Sequence, residues 1–333
     1  HTLKIELGTS KGGLKRKTQV LHNLLKATVD IHHPLLHDLY IEYGLFTHDS
    51  VYLAKRLNNA FLLYGDPHSA MKALEYGPLE QLENEVSKTQ TILSKIDGSW
   101  LSSIGPYTSF SSFKPKPNQI LYLAHMALPF ESAGYCTRTH GLLTNLAHLN
   151  PHVAVQTRLG YPLDKGKLKH LSMEDVKGQF KIDGLKYHYH TSPDTGISDP
   201  DEQGYIERAA IALIEKARKV RPALIQAASN HVNGAIGLTA ARALGLPFIY
   251  EVRGLWHMSR VARQPHFLHH AEYNAMDEAE LAVCLEADVV LAITHAVRYY
   301  LIEKGVSPER ILVLPNGVDT KRFVPIKQDH SLR

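Results

Sequence analysis

The chain has 333 residues, of which 44% are hydrophobic and 21% charged, a composition ordinary for a globular protein and long enough for one large domain or two average ones. No apolar run approaches the roughly 20 residues a bilayer requires, and two cysteines, Cys136 and Cys284, rule out a disulfide framework and suggest a reducing compartment. A net charge of +4 without any run of five like charges argues against a nucleic-acid arm; it suits an anionic ligand or membrane surface, or solvated surface alone. The first residue is His1 rather than Met, which reads as a cut or processed end and leaves a lost targeting segment open.

Residues 1–113 carry helical patterns throughout. Val20, Leu21, Leu24 and Leu25 make one apolar stripe; Ala54, Leu57, Phe61 and Tyr64 make another, which stops at Gly65-Asp66-Pro67. Ala70, Met71 and Leu74 mark a short helix. Leu79, Leu82, Val86, Leu93 and Ile96 then recur at alternating three- and four-residue steps, a seam for another helix. Helices paired across such a turn are tetratricopeptide-like at best, and a helical extension packed on the main domain is the plainer expectation. Ser99–Asn118, rich in Ser, Pro, Gly and Lys, reads as the linker, and Lys11-Gly12-Gly13 as a loop.

From Ile120 the pattern becomes strand, loop, helix, repeated. Strands are expected at 120–126, 152–158, 222–229, 248–253, 288–293 and 311–314, with a small hairpin at 181–190 turning on Asp183-Gly184. Between them, helices are expected around Leu142–Leu149, Ile206–Ala217, Ile236–Leu244, Asp277–Glu286 and His295–Lys304; Gly245 and Gly305 stand where left-handed C-caps belong. The fold class is therefore α/β, a Rossmann-like, mostly parallel sheet covered on both faces, preceded by an all-helical extension. Ligands in such sheets sit at the carboxyl ends of the strands, here just after Met126, Ser229, Tyr250 and Ile293.

At those places the chain shows Ser132-Ala-Gly-Tyr-Cys-Thr-Arg-Thr-His-Gly141, then Leu246-Pro-Phe-Ile-Tyr-Glu-Val-Arg-Gly-Leu-Trp256, then Ala287-Asp-Val-Val-Leu-Ala-Ile-Thr-His295 with Pro315-Asn-Gly-Val-Asp-Thr-Lys-Arg-Phe323. Together these resemble family 4 retaining glycosyltransferases, nearest the subgroup with a Gly-Tyr-x-x-Arg-Thr loop that is linked to bacterial surface polysaccharides. The resemblance covers about 118–325. It implies the N-terminal, acceptor-side half of a GT-B fold, with 326–333 as the start of a hinge or tail. It also implies that the donor-binding half, with its basic pair and two glutamates, lies beyond this chain, so that the fragment alone is inactive.

Several residues follow as candidates. Gly134, between strand and helix, would let a donor diphosphate approach backbone at a helix N-terminus, or is a plain tight turn. Tyr135 and Arg138 sit in the opening turn of that helix; Arg138 is read either as a clamp for an acidic acceptor group or diphosphate, or as a surface arginine. Glu251 and Arg253 share one strand face, with Trp256 and His257 just beyond. Many family members place a catalytic histidine near position 253; here Arg253 cannot accept a proton. It could stabilise a leaving phosphate or pair structurally with Glu251, and His257 follows it four residues later. The catalytic candidates are thus Arg253, His257 and Glu251. Those for substrate binding are Gly134, Tyr135, Arg138, Asn230 and Trp256, Asn230 also being a candidate N-cap, like Thr294.

Twenty-one histidines invite a metal reading, but His32-His33, His188 with His190, and His269-His270 fit no ligand spacing, so no metal or cofactor is expected. Asp199-Pro-Asp201 lies in a polar stretch and reads as loop and helix cap rather than a metal motif. The implied activity is transfer of a sugar from a nucleotide-sugar donor to a saccharide or lipid-linked acceptor. The implied setting is cytoplasmic, with peripheral contact at the inner membrane face and no nucleic-acid partner. A GT-B-type nucleotide-sugar epimerase and a non-enzymatic helical-adaptor binding module are the alternatives.

Overall fold

A computed structural model describes residues 50–324 apart from 64–65, 97–112, 150–151, 169, 177–178, 193–194, 199–200 and 321–322. The stripe at Val20–Leu25, Lys11–Gly13, His32-His33, Tyr64, Gly65, Asp199 and most of the expected linker fall outside these residues.

Residues 50–96 form helices α1 (Ser50–Leu63), α2 (Pro67–Ala73) and α3 (Glu83–Ile96). Asp66 caps α2 by accepting from the Ser69 amide at 2.9 Å, and Pro67 follows as the first helical residue, where a missing N–H costs nothing. Ala54, Leu74 and Leu82 close a small core, and Asn58 ties it by donating to Ala70 O and Thr89 Oγ1. Leu79 departs from the expected seam: it lies exposed in a single 3₁₀ turn, because helix α3 starts only at Glu83. Helix α3 packs against two helices of the following region, α5 and α8.

That region contains β1 (Ile120–Ala124), α4 (Gly134–Leu149), β2 (Val153–Thr157), β3 (Gln179–Ile182), β4 (Leu185–His188) and α5 (Glu202–Val220). It continues with β5 (Leu224–Ala228), α6 (His231–Leu244), β6 (Phe248–Val252), α7 (Trp256–Val261), α8 (Ala271–Glu286), β7 (Val289–Ala292), α9 (His295–Glu303) and β8 (Ile311–Val313). The eight strands form one sheet in the order β3-β4-β2-β1-β5-β6-β7-β8, parallel except for the β3–β4 hairpin. This is the expected Rossmann-like α/β class. The chain moves outward from β1 to β4, then returns through α5 to β5 on the other side of β1. The switch point between β1 and β5 opens a crevice at their carboxyl ends.

Strand alternation divides the core. Leu121, Leu123, Ile225, Ala227, Phe248 and Tyr250 pack under α5, α6 and α8, while Tyr122, Ala124, Val155 and Tyr187 pack under α4. Helix α6 lies so close to the sheet that a Cβ at Gly234 would stand 2.5 Å from Tyr250 Cε2. Helix ends follow local chemistry: Asp201 caps α5 through the Gly204 amide, Thr294 caps α9 through Val297, and Gly245 and Gly305 adopt positive φ after α6 and α9. Arg221, left-handed after α5, binds Lys114 O through Nε at 2.8 Å and accepts from the Lys116 amide, pinning the chain that leads into β1. The short helix α7 has no counterpart in the sequence reading, since six residues are too few to show a period.

Candidate functional site

Four separate segments converge beneath the carboxyl ends of β1 and β6. Glu251, on β6, is 1% exposed, and its carboxylate is gripped from three sides. Arg138, in the second turn of α4, donates Nε and Nη2 to Oε1 at 3.1 and 2.9 Å. Arg253 Nη2 donates to Oε2 at 2.8 Å, and the Tyr122 hydroxyl on β1 donates to the same oxygen at 2.9 Å. Burial alone would raise the Glu251 pKa; Arg253 and Arg138 outweigh it and hold the carboxyl below its ordinary value. The site is thus a carboxylate ionised between two guanidiniums.

Both arginines have further partners. Arg138 Nη2 also donates to Leu314 O at 2.8 Å, and Nη1 to Pro315 O and Asn316 Oδ1 at 3.0 and 2.7 Å. It therefore joins the start of α4 to the segment leaving β8. Arg253 Nη1 donates to Tyr135 O at 3.0 Å and Thr139 Oγ1 at 2.6 Å, while Nη2 also reaches Tyr122. The guanidinium lies 4.5 Å from the Tyr135 ring centroid. With its side chain 5% exposed and four protein acceptors engaged, Arg253 has only a buried Nε left over. This geometry favours the structural reading of Arg253 over the phosphate clamp.

The other candidates are placed differently. Gly134 opens α4 with nothing within 4 Å of the Cβ it lacks, and its φ is not positive, so the fold itself makes no demand for glycine there. Asn230 stands at the N-cap of α6 but makes no capping bond; its Oδ1 is buried without a partner. His257 does not join the Glu251 cluster. It is 1% exposed under α8, edge-on to Tyr273, with Nε2 3.5 Å from Asp277 and no hydrogen bond made there. The preceding residue, Trp256, opens α7 and is partly exposed at the crevice rim, whereas His257 is buried.

Tyr122, Thr139 and His125 were not legible as site residues. A tyrosine inside the aliphatic run at β1 was the one available signal for Tyr122. His125 follows β1, with its ring 5.9 Å from Tyr135 and 5.7 Å from Trp256, so the three aromatic rings bridge the α4 loop to α7. Burial, with Arg158 and Lys165 adding to it, lowers the His125 pKa well below its ordinary value and keeps the ring neutral; Nδ1 is buried without a partner.

A second buried carboxyl lies on the α6–α8 side. Glu280 is 3% exposed and accepts from the Tyr250 hydroxyl at 2.8 Å; burial pushes its pKa up to about 7 against the pull of His231. The folded protein therefore holds a proton that the unfolded chain releases between about pH 4.5 and 7. The stability this proton contributes is present below that window and lost as pH rises through it. Glu280→Gln keeps the acceptor for Tyr250 and removes the buried charge. Its melting temperature should match wild type near pH 5 and exceed it by a few degrees near pH 8. Thermal melts at the two pH values check this, and an equal difference at both would reject it.

Among the described residues, no group of three or more His, Cys, Asp or Glu side chains is arranged to hold a metal ion, and no helix is long and apolar enough to cross a membrane. The profile of the family described as Glycosyltransferase Family 4 matches residues 143–322. No curated protein matches the chain. Among solved structures, HepE of Anabaena in complex with UDP-glucose aligns at 16% identity and TM-score 0.38, over 61% of this chain and 45% of that one. The UDP-N-acetylglucosamine 2-epimerase of Rickettsia bellii aligns at 12% identity and TM-score 0.37, over 59% and 44%. An O-GlcNAc transferase mutant of Thermobaculum terrenum aligns at 11% identity and TM-score 0.25, over 93% and 72%. The chain thus spans about half the length of the first two structures it matches.

Proposed function

Because the chain belongs to glycosyltransferase family 4, we propose that it is the acceptor-side half of a retaining enzyme that moves a sugar from a nucleotide donor to a saccharide or lipid-linked acceptor. The observation that carries this reading is the start of α4, where Gly134 faces open space at a helix N-terminus beside the sheet's switch point. A diphosphate could be held there by backbone N–H groups and the helix dipole, without a metal. Tyr135 and Arg138 follow in the first turns, and the Glu251 cluster beneath fixes their position rather than touching substrate.

Residues 1–113 would be a helical unit separate from 118–325, and the whole would work in the cytoplasm with peripheral contact at the membrane. The pathway would be the making of a bacterial surface polysaccharide or another glycoconjugate. Transfer assays on the full-length protein with a panel of nucleotide sugars test the activity, and NMR of the product reads the anomeric configuration. An inverted product would overturn the retaining mechanism.

Two further outcomes follow. Residues 1–333 alone should fail to turn over nucleotide sugar and should bind UDP or GDP weakly, because the donor's base and sugar are read by the other half. Micromolar binding in calorimetry would count against this. In the full-length enzyme, Gly134→Ala should leave stability unchanged or raise it by about 0.5–1 kcal/mol, since the site is helical and open. The same change should cut turnover about tenfold, roughly 1.4 kcal/mol in barrier, by putting a methyl group where the diphosphate approaches. Normal turnover would make Gly134 a plain turn residue.

A further inference from the structure

A second concavity lies at the carboxyl ends of β5 and β6, bounded by the starts of α5, α6, α7 and α8. It is a pocket of about 260 Å³ whose lining includes Glu202, Asn230, Trp256, Arg260, Arg263 and Glu272. That volume lies just below the range of about 300–1,000 Å³ usual for small-molecule sites, which fits a single ring better than a chain of them.

The charges in the pocket nearly cancel. Arg260 pairs with Glu272 at 3.1 Å and covers the Phe267 ring at 3.9 Å; Glu202 stands 3.6 Å from His231. Arg263 is exposed and has no side-chain partner among the described residues, so its planar fork of donors is open to a ligand. Asn230 lines the pocket with an Oδ1 that is shut off from solvent and bound to no donor; a rotation of the side chain toward the pocket would let a ligand hydroxyl satisfy it. Trp256, 36% exposed, offers an apolar ring face at the rim, steadied from behind by the edge-on His125 ring. A flat apolar face, a buried hydroxyl acceptor and a guanidinium fork describe a sugar ring that bears an acid. Two carboxylates share the pocket with the fork, which disfavours a doubly charged phosphate more than a singly charged carboxylate.

The geometry points to a subsite for one carboxylate-bearing sugar ring, of the uronic-acid type, with Arg263 clamping the acid, Trp256 stacking on the ring and Asn230 accepting from a hydroxyl. This rests on the proposed transferase function, for which it names the acceptor class. The aromatic bridge Trp256–His125–Tyr135 places the ring next to the α4 loop where the donor would lie.

The chain has two tryptophans, so a Trp100→Phe background leaves Trp256 as the single reporter. In that protein, sodium glucuronate should change Trp256 fluorescence saturably, at concentrations about tenfold or more below those of glucose or inorganic phosphate. Arg263→Gln should abolish the preference for glucuronate over glucose without lowering the melting temperature, because Arg263 holds nothing in the fold. Equal responses to glucuronate and glucose, a response to phosphate as tight as to glucuronate, or a preference that survives Arg263→Gln would each overturn the assignment. The titration needs neither donor nor turnover, so it decides the subsite even if transfer is never observed. Conversely, sugar transfer by a protein indifferent to glucuronate would leave the enzymatic reading standing and remove only this subsite.

Discussion

Glu251→Ala should destabilise the α/β region by about 3–5 kcal/mol, because it strands two buried guanidiniums that now share one carboxylate. The side chains of Arg138 and Arg253 are 10% and 5% exposed, so water cannot replace the lost partner without opening the packing between β1, β6 and α4. Glu251→Gln keeps the volume and one acceptor oxygen, but it loses the charge and turns an NH2 donor toward guanidinium donors, so it should cost less than alanine while remaining clearly destabilising. Chemical denaturation of both variants measures the difference. If alanine and glutamine cost the same and both stay near 1 kcal/mol, the usual size of a single neutral hydrogen bond, the cluster does not behave as an ion-paired anchor.

The second large effect concerns Arg253. A lysine there keeps the charge but has no planar fork, so it cannot bond Tyr135 O, Thr139, Tyr122 and Glu251 together as the guanidinium does. Arg253→Lys should therefore cost about 2–4 kcal/mol, given about 1.5–3 for each hydrogen bond made with a charged group and partial recovery by the ammonium. Molecules that remain folded should keep turnover within a few-fold of wild type if the residue is a structural anchor. Turnover reduced about tenfold or more at unchanged melting temperature would restore the phosphate-clamping role. Measuring both quantities on one preparation of the full-length enzyme separates the two.

The order of strands and helices was legible because each βα unit left a period and a punctuation mark: Gly245 and Gly305 at helix ends, Asp183-Gly184 at the hairpin, Asp201 and Thr294 at N-caps. The parallel sheet followed from that alternation. So did the shared face of Glu251 and Arg253, since a strand's side chains alternate whatever they touch. What those two residues face was not legible. Tyr122 reads as one more apolar strand residue, and Thr139 as an ordinary helical one; their roles arise only when β1 lies two strands from β6 and α4 crosses above. The position of His257 was not legible for a related reason. It follows Arg253 by only four residues, yet the entry into α7 sets it against Tyr273 and Asp277 of α8 rather than in the Glu251 cluster. Gly134 shows the converse: the sequence marks the loop, while only the structure shows that the surrounding fold does not need its glycine.

The arrangement around Glu251 also constrains how this family can vary. One carboxylate is shared by two guanidiniums, and Tyr122 bonds both the acid and one of the bases. None of the four can be exchanged alone without leaving an unpaired charged or polar group in the interior. Substitutions here should consequently be inherited in sets. A relative with histidine in place of Arg253 ought also to have altered Arg138, Glu251 or Tyr122, whereas relatives that keep the arginine ought to keep its acid. An alignment of relatives would then show Tyr122 and Arg138 changing together with Glu251 and Arg253, more than a hundred residues further along the chain, as neighbours do.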